Sequence, residues 1–143
     1  MLLYAQTTSV VYEKRGFVME YKLQNAELKV MSVLWKEGDL TAKAVSNILK
    51  EEIGWNMNTT YTLIKRCIQK GFIERHEPHF MCHPLVSKEE VQQQEISELI
   101  DKVFDGSKNL LFASLLGGQE LSEKDIQYLK KLINKLEETD GET

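Results

Sequence analysis

Three glycines divide residues 25 to 71 into three short segments, and this division constrains the fold more than any other feature of the sequence. Within each segment the apolar residues recur at three- to four-residue spacing, as on one face of an α-helix. Each segment begins near a residue that can cap a helix N-terminus and ends near a glycine, which commonly terminates helices. The capping residues are Asn25, Thr41 and Asn56, and the glycines are Gly38, Gly54 and Gly71. The sequence therefore predicts three short helices in series.

Two short extended runs follow the third segment, at residues 72 to 77 and 80 to 83. Pro78 lies between them, and its fixed backbone angle suits a turn, so the two runs predict a β-hairpin. Three helices followed by a hairpin is the order of a winged helix-turn-helix, whose third helix enters the major groove of DNA. Because many small domains share this order, it favours that fold without establishing DNA binding.

The remaining chain is predicted to form three further helices. Ser87 can cap the first, which ends near Gly106, a leucine-rich second helix ends before Gly117, and Ser122 can cap the last. The last helix carries apolar residues at the alternating spacing of a coiled-coil seam. We predict that this region joins two copies of the chain through Leu99, Ile100, Val103, Leu110, Leu111, Ile126, Leu129, Ile133 and Leu136.

The predicted architecture is therefore mainly α with a small β-hairpin. A winged helix-turn-helix domain at residues 19 to 86 precedes a C-terminal helical dimerisation region at residues 87 to 143. Residues 1 to 18 show no sustained period, and we interpret them as a flexible arm or a non-native extension. The second interpretation starts translation at Met19, because codons for residues 14 to 16 can form a ribosome-binding run. The intact mass of protein made from its own gene distinguishes the two interpretations.

The net charge of −4 conceals a difference between the two halves of the chain. Residues 1 to 86 contain 11 Lys and Arg against 9 Asp and Glu, whereas residues 87 to 143 contain 7 against 13. The basic residues of the first half concentrate at Lys65, Arg66, Lys70 and Arg75. Such a cluster can neutralise phosphates, although a short basic run is more often a solvated helix face.

Composition excludes several classes of protein. The longest unbroken apolar run covers residues 1 to 5, far short of the roughly 20 residues that a membrane span requires, so we expect no membrane partner. Two cysteines are too few for a secreted disulfide scaffold, so we expect a reducing cytoplasm. We find no phosphate-binding glycine loop, nucleophile elbow or zinc-peptidase motif, and we expect neither enzymatic activity nor a cofactor.

The third helix carries the residues best suited to contact DNA. If Leu63, Ile64 and Cys67 face the core, a different set of side chains must face outward. That outward set is Asn58, Tyr61, Thr62, Lys65, Arg66 and Gln69. It combines an amide, hydroxyls and cations, the groups that recognise base edges and bind phosphates. An ordinary exposed helix face is the alternative interpretation.

The hairpin contains four residues of types that bind metals, namely His76, His79, Cys82 and His83. Side chains alternate along a strand, so Cys82 points away from the face that His79 and His83 share, which disfavours a closed tetrahedral site. We therefore predict no metal site, with histidines at the surface and a half-buried Cys82. Cys67 is predicted to pack as a small hydrophobic residue inside the third helix.

A set of motifs runs from the first helix to the start of the fourth. It comprises residues 25 to 35, Gly38, residues 40 to 42, Trp55, Thr59, residues 62 to 64, Arg66, Lys70, Gly71 and residues 84 to 87. These motifs resemble the family of penicillinase repressors and methicillin-resistance repressors, over about residues 22 to 138. The resemblance implies a winged-helix domain, a helical dimerisation segment and repression of transcription at inverted-repeat operators.

The predicted DNA contacts are Asn58, Thr59, Tyr61, Thr62, Lys65 and Arg66. Among them, Thr59, Thr62 and Arg66 match the family's pattern, so the resemblance implies a DNA contact for these three. Asn58 stands where the family has a lysine, which exchanges a phosphate contact for a potential base contact. Tyr61 and Lys65 occupy positions that vary in the family, so we expect the preferred DNA sequence to differ from that of relatives. The hairpin is shorter than the family's and lacks its basic tip, which argues against a phosphate contact there.

Two release mechanisms of the family do not fit these residues. The copper-responsive branch carries a C-terminal cysteine cluster, but residues 84 to 143 contain no cysteine. The antibiotic-responsive branch is cut at an Asn-Phe bond, which aligns here with Ser114 and Leu115. An unidentified inducer or protease therefore stays open as the partner that releases the protein.

We predict a homodimeric repressor that binds double-stranded operator DNA through its third helix. The alternative is a winged-helix module that binds proteins and never contacts DNA, which the overall acidity and the reduced hairpin favour. Salt distinguishes the two, because DNA binding releases counterions and weakens steeply as the salt concentration rises.

Overall fold

The structure, a computed structural model, describes residues 10 to 12, 17 to 19, 22 to 118 and 120 to 141. In chain order the strands are β1 (Val10–Tyr12), β2 (Phe17–Met19), β3 (Leu40–Thr41), β4 (Ile73–His76) and β5 (Met81–Pro84). The helices are α1 (Asn25–Glu37), α2 (Ala42–Ile53), α3 (Met57–Gln69), α4 (Lys88–Val103), α5 (Lys108–Gly118) and α6 (Glu123–Gly141). The chain divides into two compact units, the first extending to Ile96 and the second beginning at Ser97.

The first unit packs α1, α2 and α3 around one hydrophobic core. Each helix buries one apolar stripe and exposes its opposite face, as the spacing predicts. Burying a Leu or Ile side chain fully contributes about 1.5 to 3 kcal/mol, so these stripes hold the helices together. The largest fully buried apolar side chains are Val30, Met31, Leu34, Val45, Leu49, Ile64, Cys67, Phe72, Ile73 and Cys82.

The helix N-termini follow the predicted capping residues with one exception. Thr41 Oγ1 accepts a hydrogen bond from the backbone N–H three residues later, at 3.1 Å, and Asn56 Oδ1 does the same at 2.8 Å. The N-cap of α1 is Gln24, so the prediction of Asn25 as the cap is wrong. The backbone N–H of Gln24 donates to Glu27 Oε1 at 2.9 Å, which satisfies this helix end without the amide of Asn25.

A three-stranded antiparallel sheet lies beside the helices, in the order β3-β5-β4. Strands β4 and β5 form the predicted hairpin, the wing, whose turn contains Pro78. The strand β3 was not predicted, because two residues are too few to show a period. The indole N–H of Trp35 donates to the backbone oxygen of Val86 at 2.9 Å, which fastens the chain after the wing to α1. The predicted winged helix-turn-helix fold is confirmed.

Strands β1 and β2 pair antiparallel, with Val11 opposite Val18. They fall mostly within residues 1 to 18, which were predicted to be a flexible arm or an extension. The other residues of that segment lie outside the described part of the chain, and the translation start at Met19 stays a prediction.

The second unit contains the end of α4 and the helices α5 and α6. The predicted cap of α6 is present, because Ser122 Oγ accepts from the N–H of Asp125 at 3.1 Å. The cap of α4 is present in the first unit, where Ser87 Oγ accepts from the N–H of Glu90 at 3.0 Å. Helix α5 runs through Gly118, two residues beyond the predicted end, since its final glycines keep helical geometry. The predicted domain boundary at residues 86 and 87 stays a prediction.

Candidate nucleic-acid interface

The helix α3 presents a polar face to solvent. Leu63, Ile64 and Cys67 are buried in the core, and this anchoring fixes the rotation of the helix about its axis. The exposed residues on the opposite face are Asn58, Thr59, Thr62, Lys65, Arg66 and Gln69. Their amide, hydroxyl, ammonium and guanidinium groups match the hydrogen-bonding groups of DNA base edges and phosphates. The N-cap bond of Asn56 holds the first turn of this helix in place.

Tyr61 is half-buried, in contrast to the prediction that it faces outward. Its ring packs edge-on against Phe80, with ring centroids 5.8 Å apart and an interplanar angle of 90°. Phe80 lies in the turn of the wing, so the contact joins α3 to the wing. Helical spacing within α3 could not reveal this contact, because it depends on a ring from another element.

Arg75 interacts within the wing. Its guanidinium carbon lies 3.6 Å from the centroid of the Phe80 ring, which is a cation–π contact, and its Nε donates to the carboxylate of Glu77. The hydrogen bond from Arg75 holds the pKa of the Glu77 carboxyl below its ordinary value. Arg75 belongs to the basic cluster predicted to neutralise phosphates, and that role stays a prediction, because its pair with Glu77 is exposed at the surface.

A buried carboxylate lies under the end of α3. Glu27, in α1, is fully buried, and Lys70 Nζ lies 2.9 Å from both of its oxygens. The Nε atom of Arg66 lies 4.0 Å from Glu27 Oε2. A buried charge must be paired, so Lys70 is held by the core and is not the free phosphate-binding cation that the basic cluster predicted.

The role of Glu27 was missed in the sequence, although a signal was present. Glu27 precedes Met31 by four residues and Leu34 by seven, which places it on the buried stripe of α1. An acid on a buried stripe requires a cation from elsewhere in the fold. The pairing with Lys70 joins α1 to the end of α3.

Two of the three histidines of the wing pair with carboxylates. His83 Nδ1 lies 2.9 Å from Asp39 Oδ1, and His76 Nε2 lies 2.6 Å from Glu74 Oε1. Cys82 is fully buried rather than half-buried, because β5 is the central strand of the sheet and this side chain points into the core. Within the described part of the chain, no three His, Cys, Asp or Glu side chains form a group that could hold a metal ion.

Both cysteines are buried thiols. Burial raises the pKa of Cys67 to about 12, and the nearby charge of Glu27 acts in the same direction. Burial also raises the pKa of Cys82 to about 11. Because the thiolate is the reactive form of cysteine, these protonated side chains are unreactive near neutral pH. Cys67 packs as the small hydrophobic residue that was predicted.

The C-terminal helices expose many apolar side chains. Among the predicted dimerisation residues, Ile100 is already buried within the chain, and Leu111 and Leu129 are half-buried. The exposed members are Leu99, Val103, Leu110, Ile126, Ile133 and Leu136. Phe112 and Leu132 are also exposed and were not in the predicted set. Large exposed apolar patches mark interaction surfaces in general, and the joining of two copies through these residues stays a prediction.

The helix α5 is too short to cross a membrane despite its leucines. It contains 11 residues, whereas a span requires about 20. Across the described residues, none of the helices combines the length and the apolar character of a membrane span.

Comparison with known proteins places these features in context. Residues 23–135 match the family model described as penicillinase repressor. The methicillin resistance regulatory protein MecI of Mammaliicoccus sciuri is 28% identical over 117 residues, which cover 80% of this chain and 95% of MecI. The penicillinase repressor of Bacillus licheniformis is 24% identical over 114 residues, which cover 78% of this chain and 89% of that protein.

A solved structure is also similar to this chain over half of its length. The solution structure of the DNA binding domain of the repressor BlaI is 27% identical to this chain. The match covers 50% of this chain and 89% of that domain, with a TM-score of 0.46.

Proposed function

Because this chain belongs to the penicillinase repressor family, we propose that it is a DNA-binding transcriptional repressor and not an enzyme. The family match extends from the start of the winged helix to near the end of α6. Relatives that cover most of this chain carry the names of a repressor and a resistance regulator. The observation that carries the proposal is the exposed polar face of α3, because this face combines base-reading and phosphate-binding groups on a core-anchored helix.

The proposed contacts follow from the chemistry of the major groove. The groove is about 12 Å wide and admits one α-helix. Asn58, near the start of α3, can bond in bidentate fashion to adenine, and Arg66 can do so to guanine. The hydroxyls of Thr59 and Thr62 suit phosphate oxygens or base edges. Tyr61 supports the packing of α3 against the wing and contributes a contact to DNA only through its exposed part.

The proposed repressor is a homodimer. Its C-terminal helices expose apolar residues that a second copy can cover, and a two-fold axis then pairs identical surfaces. Two recognition helices would lie about one DNA turn apart, roughly 34 Å, or a multiple of it, which requires an inverted-repeat operator. Binding of the first helix makes binding of the second nearly intramolecular, so dimerisation contributes strongly to affinity. The relatives come from bacteria, whose DNA lies in the cytoplasm, and this supports a cytoplasmic location for the proposed repressor.

The alternative function is a winged-helix module that binds proteins. One observation favours it: Lys70 and Arg75 are paired with Glu27 and Glu77, so few cations of this region are available to phosphates. The net charge of −4 acts in the same direction. Electrostatic attraction to phosphates supplies most non-specific DNA affinity, and a protein with few exposed cations lacks much of this attraction. Such a protein must depend on base contacts for any affinity to DNA.

The test is a selection of genomic fragments bound by the full chain, at low and at high salt. We expect enrichment of an inverted repeat, with affinity that falls as salt rises because counterions are released. Arg66→Ala should reduce the enrichment and cost about 1 to 3 kcal/mol in operator affinity, whereas Lys130→Ala, which removes an exposed cation from α6, should preserve both. No enrichment at either salt by a folded protein would refute DNA binding and support the protein-interaction module.

A further inference from the structure

Glu27, the buried acid under α3, is not among the proposed DNA contacts. We propose that Glu27 is a positioning residue for DNA recognition, which orients the guanidinium of Arg66 and thereby sets the preference for operator over other DNA. This inference rests on the proposed function, since it assigns a role within that same interface. It adds a specificity determinant that lies in α1 and makes no contact with DNA itself.

Three charged side chains, those of Glu27, Arg66 and Lys70, lie close together at the end of α3. Arg66 and Lys70 are four residues apart, on the same side of the last turns of α3. Two cations at this spacing repel each other in an isolated helix. The carboxylate of Glu27 lies between the helix and the core and contacts both, so it allows the two cations to stay adjacent.

The two cations differ in their exposure and in their distance from Glu27. Lys70 is the less exposed, at 29%, and its Nζ lies 2.9 Å from both Glu27 oxygens. Arg66 is 45% exposed, and its Nε lies 4.0 Å from the same carboxylate. Lys70 therefore supplies the close ion pair that the buried acid requires. Arg66 is attracted to the carboxylate but does not form the close ion pair with it. Arg66 can therefore bind DNA without leaving Glu27 unpaired.

Arg66 faces the carboxylate of Glu27 with one part of its guanidinium group. The contact with Glu27 is through Nε, at the inner side of the guanidinium. The terminal Nη groups supply the two parallel donors that recognise guanine in the major groove. A carboxylate behind Nε restricts the directions in which the guanidinium can point. Such preorganisation of a long side chain reduces the conformational entropy lost on binding.

The fixed position of Glu27 makes this orientation specific. Its backbone lies in the first turn of α1, and its Oε1 also accepts the N–H of Gln24 at 2.9 Å. Oε1 thus accepts two hydrogen bonds, from Gln24 and from Lys70, whereas Oε2, the oxygen 4.0 Å from Arg66 Nε, has no hydrogen-bond partner among the described residues. A rigid acid can orient a mobile guanidinium, whereas a mobile acid would follow it.

The experiment compares two DNA duplexes of equal length, one with the inverted repeat recovered by genomic selection and one with that repeat scrambled. The full chain and its Glu27→Gln, Arg66→Ala and doubly substituted variants are titrated against both, by fluorescence anisotropy. We expect Glu27→Gln to lower the ratio of operator to scrambled affinity about tenfold, within the range for a lost base contact. Affinity for the scrambled duplex should stay equal or rise, because the substitution removes a negative charge.

Dependence on Arg66 distinguishes positioning from general stability. In the Arg66→Ala background, Glu27→Gln should leave the affinity ratio unchanged, since the group it orients is absent. The matched control is Glu37→Gln, which removes an exposed acid from the other end of α1 and should not change the ratio. Equal loss of affinity for both duplexes, or the same loss of ratio with and without Arg66, would overturn the role of Glu27.

A second variant covers the case in which Glu27→Gln does not fold, as judged by circular dichroism. Glu27→Asp keeps the charge that Lys70 requires but withdraws the carboxylate from Arg66 by one methylene. Glu27→Asp should lower the ratio of operator to scrambled affinity by a smaller factor, and only when Arg66 is present. A decrease of this ratio that is independent of Arg66 overturns the inference. If the unsubstituted protein does not distinguish the two duplexes, the proposed function fails and this inference fails with it.

Discussion

Cys67 links the core to the charge beneath α3, because its thiol is buried near the carboxylate of Glu27. Its pKa rises from 9.0 to about 12 in the folded protein, so the unfolded chain releases this proton at lower pH. The stability contributed by the neutral thiol is therefore complete below pH 9 and is lost as the pH rises toward 12. Each such group lowers the free energy of unfolding by about 1.4 kcal/mol per pH unit in that window.

The prediction is a steep alkaline loss of stability, measured by denaturant unfolding from neutral pH upward. Cys82 adds a similar contribution between pH 9.0 and about 11. Cys67→Ala should be less stable at neutral pH because it leaves a cavity, yet its stability should fall less steeply above pH 9. Equal slopes for this variant and the unsubstituted protein would contradict the assignment of the lost stability to Cys67.

Single residues differ in how far the sequence alone could place them. Asn58, Thr62 and Arg66 face outward as predicted, because helical periodicity fixes the two faces of α3 once its apolar stripe is recognised. The pairing of Glu27 with Lys70 was not predicted, because the two residues are 43 positions apart and no local pattern connects them. Burial of a charge depends on such distant partners.

Among the elements, α3 depends on the cap at its N-terminus. Asn56→Ala removes the acceptor for the N–H of Thr59, so we expect a loss of about 1 kcal/mol in the free energy of unfolding. Asn56→Asp keeps an acceptor and should retain most of the stability. Asn47→Ala, at an exposed position inside α2, is the matched control and should change stability little. Denaturant unfolding measures all three, and a comparable loss in Asn56→Asp would refute the capping role.

The helices of the first unit could be predicted because each contains its own start signal, period and stop. Thr41 and Asn56 act through N–H groups three residues away, which is within the reach of a sequence pattern. The strand β3 could not be predicted, since it consists of two residues and exists through its pairing with β5. The contact between Tyr61 and Phe80 was missed for the same reason, because it joins two elements.

For the molecule as a whole, the expected consequence of the exposed C-terminal surface is self-association. Ile133 is 54% exposed on α6 and lies in the predicted seam, so Ile133→Asp places a charge where a second copy would pack. We expect this variant to become monomeric in analytical ultracentrifugation and to lose operator affinity by about 100-fold or more, since avidity is lost.

The matched control is Asn134→Asp, which adds the same charge at the next, polar position of α6. It should remain dimeric and bind the operator as the unsubstituted protein does. A monomeric unsubstituted protein with full operator affinity would show that this surface does not join two copies. The apolar spacing of α6 could be predicted from the sequence, but the surfaces that meet could not, because half of such an interface belongs to another chain.

The separation of α3 into a buried and an exposed face also has an evolutionary consequence. Substitutions at exposed positions usually change stability by less than about 0.5 kcal/mol, so Asn58, Thr62 and Lys65 can vary without endangering the fold. After gene duplication, copies of such a chain can acquire new target genes through these positions alone. Arg66 is constrained by its neighbour Glu27. We therefore expect amino-acid substitutions to accumulate slowly at the C-terminal end of this face and rapidly along the rest of it.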